Sequence, residues 1–172
     1  MKHLVKTMIL AGVMLFPALG AAKPEKTLEQ KVRHELVTLP FFGVFDNMTF
    51  RVDGDTVTLF GSVTRPTLKS SAENVVKRLE GVAKVDNQIE VLPLSPNDDR
   101  IRLATLRAIY GYAPLQRYAL GAIAPIRIIV RNGDVTLEGV VGSEMDKNLA
   151  FMRANQVFGS FTVKNALQVS TI

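Results

Sequence analysis

The run Val57-Thr58-Leu59-Phe60-Gly61-Ser62-Val63 returns 78 positions later as Val135-Thr136-Leu137-Glu138-Gly139-Val140-Val141. The shift holds without a gap through Lys69 and Lys147, Ala72 and Ala150, Gly81 and Gly159, Asn87 and Asn165, and Val91 and Val169. A repeat of this length is too long for a solenoid unit and too regular for chance, so it predicts two copies of one small domain.

Each copy spells the same local structure. Val57, Leu59, Gly61 and Val63 alternate with polar or variable positions, as do Val135, Leu137, Gly139 and Val141. Period two marks a half-buried strand. A second alternating run precedes each, Met48-Phe50-Val52 and Ile126-Ile128-Val130. The turn dipeptides Asp53-Gly54 and Asn132-Gly133 join the runs into hairpins, because Gly, Asp and Asn tolerate positive φ. A helical pattern follows, with Ala72, Val75, Val76 and Leu79 on one face, then Gly81 as its stop and a third strand through Val85, Ile89 and Val91. Strand, helix and strand make a crossover, so the third strand should run parallel to the second.

A helix precedes each hairpin. Leu28, Val32 and Leu36 recur at helical spacing after the N-cap residue Thr27, and Ile101, Thr105, Ala108, Ile109 and Tyr112 do so after Asn97. Pro40 ends the first helix, and Phe41-Phe42-Gly43-Val44-Phe45 reads as core leading into the first strand. The fold class is therefore α+β: two tandem α-β-β-α-β domains, each a mixed three-stranded sheet with two helices on one face. Residues 1–22 read as a signal peptide, with Lys2 and Lys6, an apolar run too short to span a bilayer, and Gly20-Ala21-Ala22 for cleavage near Ala22. The first domain is 23–92, the proline-containing linker is 93–97 and the second domain is 98–172. The expected location is the periplasm.

This organisation, with Val-Thr-Leu-x-Gly in both copies and the run from Asn132 to Val141 followed by a helix and Val163-Lys164-Asn165, resembles the BON domain family. Two copies behind a leader are similar to the OsmY-like periplasmic family. The resemblance implies no catalytic centre, a role at the cell envelope, phospholipid binding and stress-linked chaperone activity. It makes Gly61 and Gly139 the family's glycines, read as structural, with a helix backbone packed close against the strand. Pro66 stands where the second copy has Glu144.

The residues agree that catalysis is not expected. There is no cysteine, which excludes thiol chemistry and thiolate metal sites. Beyond the leader the one histidine, His34, has no second His or Cys with which to form a triad or metal site. Asp98-Asp99 reads as helix-capping charge. No cofactor or metal is expected, and export makes nucleic acid an unlikely partner.

The two copies differ where it matters for binding. In the crossover helix the core positions map to Ala150, Ala154 and Val157, but Ser71, Glu73, Asn74 and Glu80 become Leu149, Phe151, Met152 and Phe158. A solvated face in the first domain is apolar in the second. Without the leader the chain carries 19 basic and 16 acidic side chains, and the excess lies in residues 93–172, where seven of nine basic residues are Arg. Tyr110, Tyr112 and Tyr118 fall beside Arg107 and Arg117, with Arg153 on the apolar helix. Tyr and Arg suit the headgroup layer of a membrane. The candidate surface is thus Leu149, Phe151, Met152, Phe158, Tyr110, Tyr112, Tyr118, Arg107, Arg117 and Arg153. It would take anionic phospholipid or, alternatively, unfolded client proteins. Burial against the first domain or a second chain is the competing reading, so an oligomer is possible.

Overall fold

The computed structural model describes residues 26–170, so the leader lies outside the described residues. The first domain runs α1 (Leu28–Val37), β1 (Asn47–Asp53), β2 (Thr56–Val63), α2 (Pro66–Lys77), β3 (Lys84–Asn87) and β4 (Glu90–Val91). The second runs α3 (Pro96–Tyr110), a 3-10 helix (Ala113–Ala119), β5 (Ile126–Arg131), β6 (Asp134–Val141), α4 (Glu144–Asn155), β7 (Val163–Asn165) and β8 (Gln168–Val169). In both, the hairpin is antiparallel and the segment after the crossover helix pairs parallel with the hairpin's second strand. The architecture is the expected tandem α+β one.

The third strand is interrupted in each copy, giving β3 with β4 and β7 with β8. The matched asparagines explain how the break is tolerated. Asn87 Oδ1 accepts from the amide of Ile89 at 3.2 Å while its Nδ2 donates to the carbonyl of Lys69 on α2 at 2.9 Å. Asn165 repeats both bonds with Leu167 and Lys147, at 3.3 and 3.0 Å. The side chain thus takes up the backbone amide just past the break and ties the strand to its helix. Ile89 and Leu167 can then drop into the two cores.

Those cores are separate. Val32, Leu36, Val57, Leu59, Leu68, Ala72 and Val76 fill the first. Ile101, Ile109, Leu115, Ile126, Ile128, Val135, Leu137, Ala150 and Ala154 fill the second. The hairpin turns differ in type. In the second copy both Asn132 and Gly133 have positive φ, 51° and 86°, the pattern of a type I′ turn. In the first copy the turn is Gly54-Asp55, one position later than expected, and only Gly54 is left-handed (φ 60°), as in type II′.

The neighbour that demands Gly61 and Gly139 is also not the expected one. An added Cβ would fall on the carbonyl oxygen of Asn47 at the start of β1, or of Pro125 just before β5. The close approach comes from the partner strand of the hairpin, not from a helix.

One helix start differs from expectation. Ser95, not Asn97, caps α3, its hydroxyl accepting from the amide of Asp98 at 3.2 Å, with Pro96 in the first turn where its missing N–H costs nothing. Asp98 is buried and does more than cap. It reaches the hairpin tip of its own domain, accepting from the amides of Asn132 and Gly133, both at 2.8 Å.

The domains meet on their helix-free sides. Asn47 donates to Glu138 at 2.6 Å and Arg131 pairs with Glu90. The aromatic segment before β1 makes the larger contact. Phe42 packs on the first core, but Val44 and Phe45 pack on the second domain's core, and Phe41 is exposed beneath Arg65. The amide of Ile128 on β5 donates to the carbonyl of Val44 at 2.9 Å. This segment is therefore a domain-to-domain strap, not simply core of the first domain.

Candidate lipid- or partner-binding surface

Ser143 starts α4 by accepting from the amide of Asp146 at 3.1 Å, with Glu144 and Asp146 in the positively polarised first turn. The helix ends at Asn155, three residues short of the expected Phe158, which instead begins the turn into β7. Ala150 and Ala154 face the core as expected, and Val157 packs against it.

The four residues that replace polar ones divide into two groups. Leu149 is half-buried against its own domain's core, and Phe151 is half-buried. Met152 remains 52% exposed and Phe158 93% exposed, so the first domain covers neither.

The tyrosines and Arg153 turn inward, whereas Arg107 and Arg117 do not. Tyr110 donates to the carbonyl of Ile126 at 2.7 Å and accepts from the same residue's amide, and burial pushes its phenol up to about 12. Tyr112 packs on the core under the guanidinium of Arg153, 4.9 Å from the ring centre, and Arg153 donates to the carbonyl of Ala108 at 3.1 Å. Arg117 and Tyr118 both bond Asp146, and the Tyr118 hydroxyl also accepts from the amide of Gly142 at 2.8 Å. Asp146 is buried at the position where the first copy has the core residue Leu68. Burial alone would raise its pKa, but hydrogen bonds from Ser143 and Tyr118 and the charge of Arg117 outweigh that and hold it below the ordinary carboxylate value. These groups fasten the 3-10 helix to α4. Of the ten expected surface residues, Met152, Phe158, Arg107 and Arg117 are exposed.

One exposed residue escapes the helix-by-helix comparison. Phe161 is 78% exposed, three positions after Phe158 in the same turn. The 78-residue shift places it on Ala83, so extending the comparison past the helix would have found it. The turn is braced: Gly159 takes φ 94°, the Ser160 hydroxyl donates to the carbonyl of Val157 at 3.0 Å, and the amide of Phe161 donates to that of Gly133 at 2.9 Å. The Phe161 ring lies on Gly133, in the space a Cβ would take. Beside this turn, exposed Arg100, Leu103 and Arg107 form one stripe of α3, and the Arg100 guanidinium lies next to Gly159. Two presented aromatic rings and the Arg100 guanidinium thus sit together at this turn of the second domain.

Against protein families, residues 24–93 and 98–171 each match the BON domain. The chain belongs to the BON domain family. BON domains are binding domains without a catalytic centre, associated with phospholipid binding and with the cell envelope. Among curated proteins no match was found. Among solved structures, the chain is similar to CdsD, a structural protein of the Type III secretion system of Chlamydia trachomatis, at 13% identity and a TM-score of 0.33, covering 83% of this chain and 91% of that one. The CdsD C-terminal domain is similar at 15% identity and a TM-score of 0.28, covering 81% and 96%.

His34 is exposed on α1 of the first BON domain. Among the described residues there is no cluster of three or more His, Asp or Glu placed to hold a metal ion, and no helix is long and apolar enough to cross a membrane.

Proposed function

We propose that this tandem BON protein is exported to the periplasm, as in OsmY-like proteins, and docks there on anionic phospholipid through the second BON domain. The observation that carries this reading is the braced turn presenting Phe158 and Phe161 beside Arg100. Burying one Phe side chain contributes about 1.5–3 kcal/mol. Each Arg near an anionic surface adds ~1 kcal/mol, falling off over a Debye length. Because the turn is already ordered, little conformational entropy is lost when it inserts.

The test is co-sedimentation with phosphatidylglycerol-containing and with phosphatidylcholine-only vesicles. Phe158→Glu with Phe161→Ala restores the first domain's residues at both positions. The wild-type protein should bind anionic vesicles in a salt-sensitive way, and the double variant should lose that binding with its melting temperature unchanged. Equal binding by both proteins would sink the proposal. A second reading is chaperone-like capture of unfolded clients, favoured by the exposed Met145 and Met152, since methionine surfaces adapt to varied partners. Suppression of client aggregation without lipid, lost in Met145→Gln with Met152→Asn but kept in the Phe variant, would select it.

A further inference from the structure

Among the described residues there is one filled docking site of a particular kind and one empty copy of it. In the filled site, residues 42–45 of the first domain lie along β5. Ile128 donates to Val44, Arg127 donates to the carbonyl of Gly43 at 2.8 Å, and the Arg127 guanidinium lies 4.5 Å from the centre of the Phe42 ring. The rest of that edge is closed by α3. Tyr110 caps Ile126, and buried Arg102 donates to the carbonyl of Val130 at 2.7 Å.

The repeat generates both halves of the same contact a second time. Shifted by 78, Ile128, whose amide donates, becomes Phe50 on β1, and the docked segment 42–45 becomes 120–123, with Leu120 for Phe42, Gly121 for Gly43, Ala122 for Val44 and Ile123 for Phe45. The register is also the same, Ile128 lying opposite Leu137 and Phe50 opposite Leu59. The amide of Phe50 therefore points away from β2, as that of Ile128 points away from β6.

Among the described residues neither half is used. The edge groups of Met48, Phe50 and Val52 have no hydrogen-bond partner there, and α1 stands off β1 to leave a groove of about 470 Å3 lined by Leu36, Val37, Met48, Phe50 and Val52 together with Glu29, Arg33 and Thr49. Leu120 is 86% and Ile123 43% exposed. An open strand edge beside a groove with an apolar floor and a polar margin (Glu29, Arg33, Thr49) is a site for an added strand.

We infer that a second copy of this chain supplies that strand: residues 120–123 of one copy dock along β1 of another, with the Ala122 carbonyl accepting from the Phe50 amide. Val37 lines both the groove and a smaller cavity walled by Gly121 and Ile123, so segment and groove lie on one side of the molecule. Two copies related by a two-fold axis can then exchange loops reciprocally and close a dimer.

The absence of cysteine makes the test direct. Chains carrying Thr49→Cys are mixed with affinity-tagged chains carrying Ile123→Cys and treated with a short bismaleimide, while the wild-type protein is run on a sizing column over a range of concentrations. The expected results are a tagged-to-untagged cross-link as the main product and a mass that rises toward two chains. Leu120→Asp with Ile123→Asp alters only exposed positions, so it should melt like the wild type yet associate roughly tenfold or more weakly. A single-chain mass at every concentration overturns the inference. Undiminished association of the Asp variant does so as well. A monomer whose Phe50 amide is already protected from hydrogen exchange would assign the groove to the N-terminal segment or a foreign peptide instead, and equally overturns it.

Discussion

Arg127 of the second domain donates to the carbonyl of Gly43 in the first, across 84 positions of chain. The guanidinium is 7% exposed in total residue surface and burial lowers its pKa, so this bond is made away from water. The first domain has Thr49 at the matching position. Replacing Arg127 by Thr should cost about 1.5–3 kcal/mol, the usual worth of a hydrogen bond to a charged group. It should also hasten proteolytic nicking in residues 93–97, where Leu94 is 94% exposed. Urea denaturation and a timed digest check both, and an unchanged pair of results would refute the strap as a coupling element.

Gly81 after α2 and Gly139 in the second hairpin separate two kinds of cost. Gly81 has φ 90° and open space around it, so Gly81→Ala meets only the left-handed backbone penalty, about 1–2 kcal/mol. Gly139 has φ 110° and the Pro125 carbonyl where a Cβ would sit. Gly139→Ala should therefore lose clearly more stability than Gly81→Ala in the same denaturation assay. Equal losses would mean the strand start yields freely.

Asp146 gives the stability a pH dependence of known sign. Its folded pKa is depressed, so between that value and the unfolded value of ~3.9 the unfolded chain binds more protons than the native one. The contribution is fully present above that unfolded value and is lost as pH falls through the folded pKa. Asp146→Asn should flatten the acid limb of a plot of melting temperature against pH. At neutral pH it should lower stability by about 1–3 kcal/mol through imperfectly satisfied partners. An acid limb identical to wild type would show that other carboxylates set it.

Half-burial predicts a split between neighbours on α4. Phe151→Glu places a charge where a ring is partly covered and should destabilise by ~1–3 kcal/mol. Met152→Asn alters an exposed side chain and should leave the melting temperature within error. The reverse order would mean that a partner covers Met152.

What could be read in advance followed from local periodicity. Val57-Leu59 and Val135-Leu137 announce a strand face because alternate side chains must point the same way, and Asn87 with Asn165 mark the same junction twice. The site was less legible because side-chain pairing is not periodic. Nothing near Asp146 in the sequence says that Arg117 and Tyr118, 29 and 28 positions earlier, will satisfy it and so have their polar ends engaged within the domain. Leu149 looked like part of a binding face because its counterpart is Ser71, yet the larger side chain simply extends the core. Phe158 and Phe161 lie in a turn, where no helical or strand pattern draws attention to a pair three apart.

The clamp from Asp98 onto the hairpin tip also bears on how the protein ages. Asn-Gly is the dipeptide most prone to deamidation, because the following amide nitrogen attacks the asparagine side chain to form a succinimide. In Asn132-Gly133 that nitrogen is the one whose hydrogen is held by Asp98 Oδ1. While the clamp is closed, the attacking atom is engaged and the backbone is fixed. Asp98→Ala should convert Asn132 to aspartate and isoaspartate severalfold faster during incubation at mildly alkaline pH, as peptide mass mapping would show. A carboxylate 34 residues away thus acts as a chemical preservative for the hairpin tip.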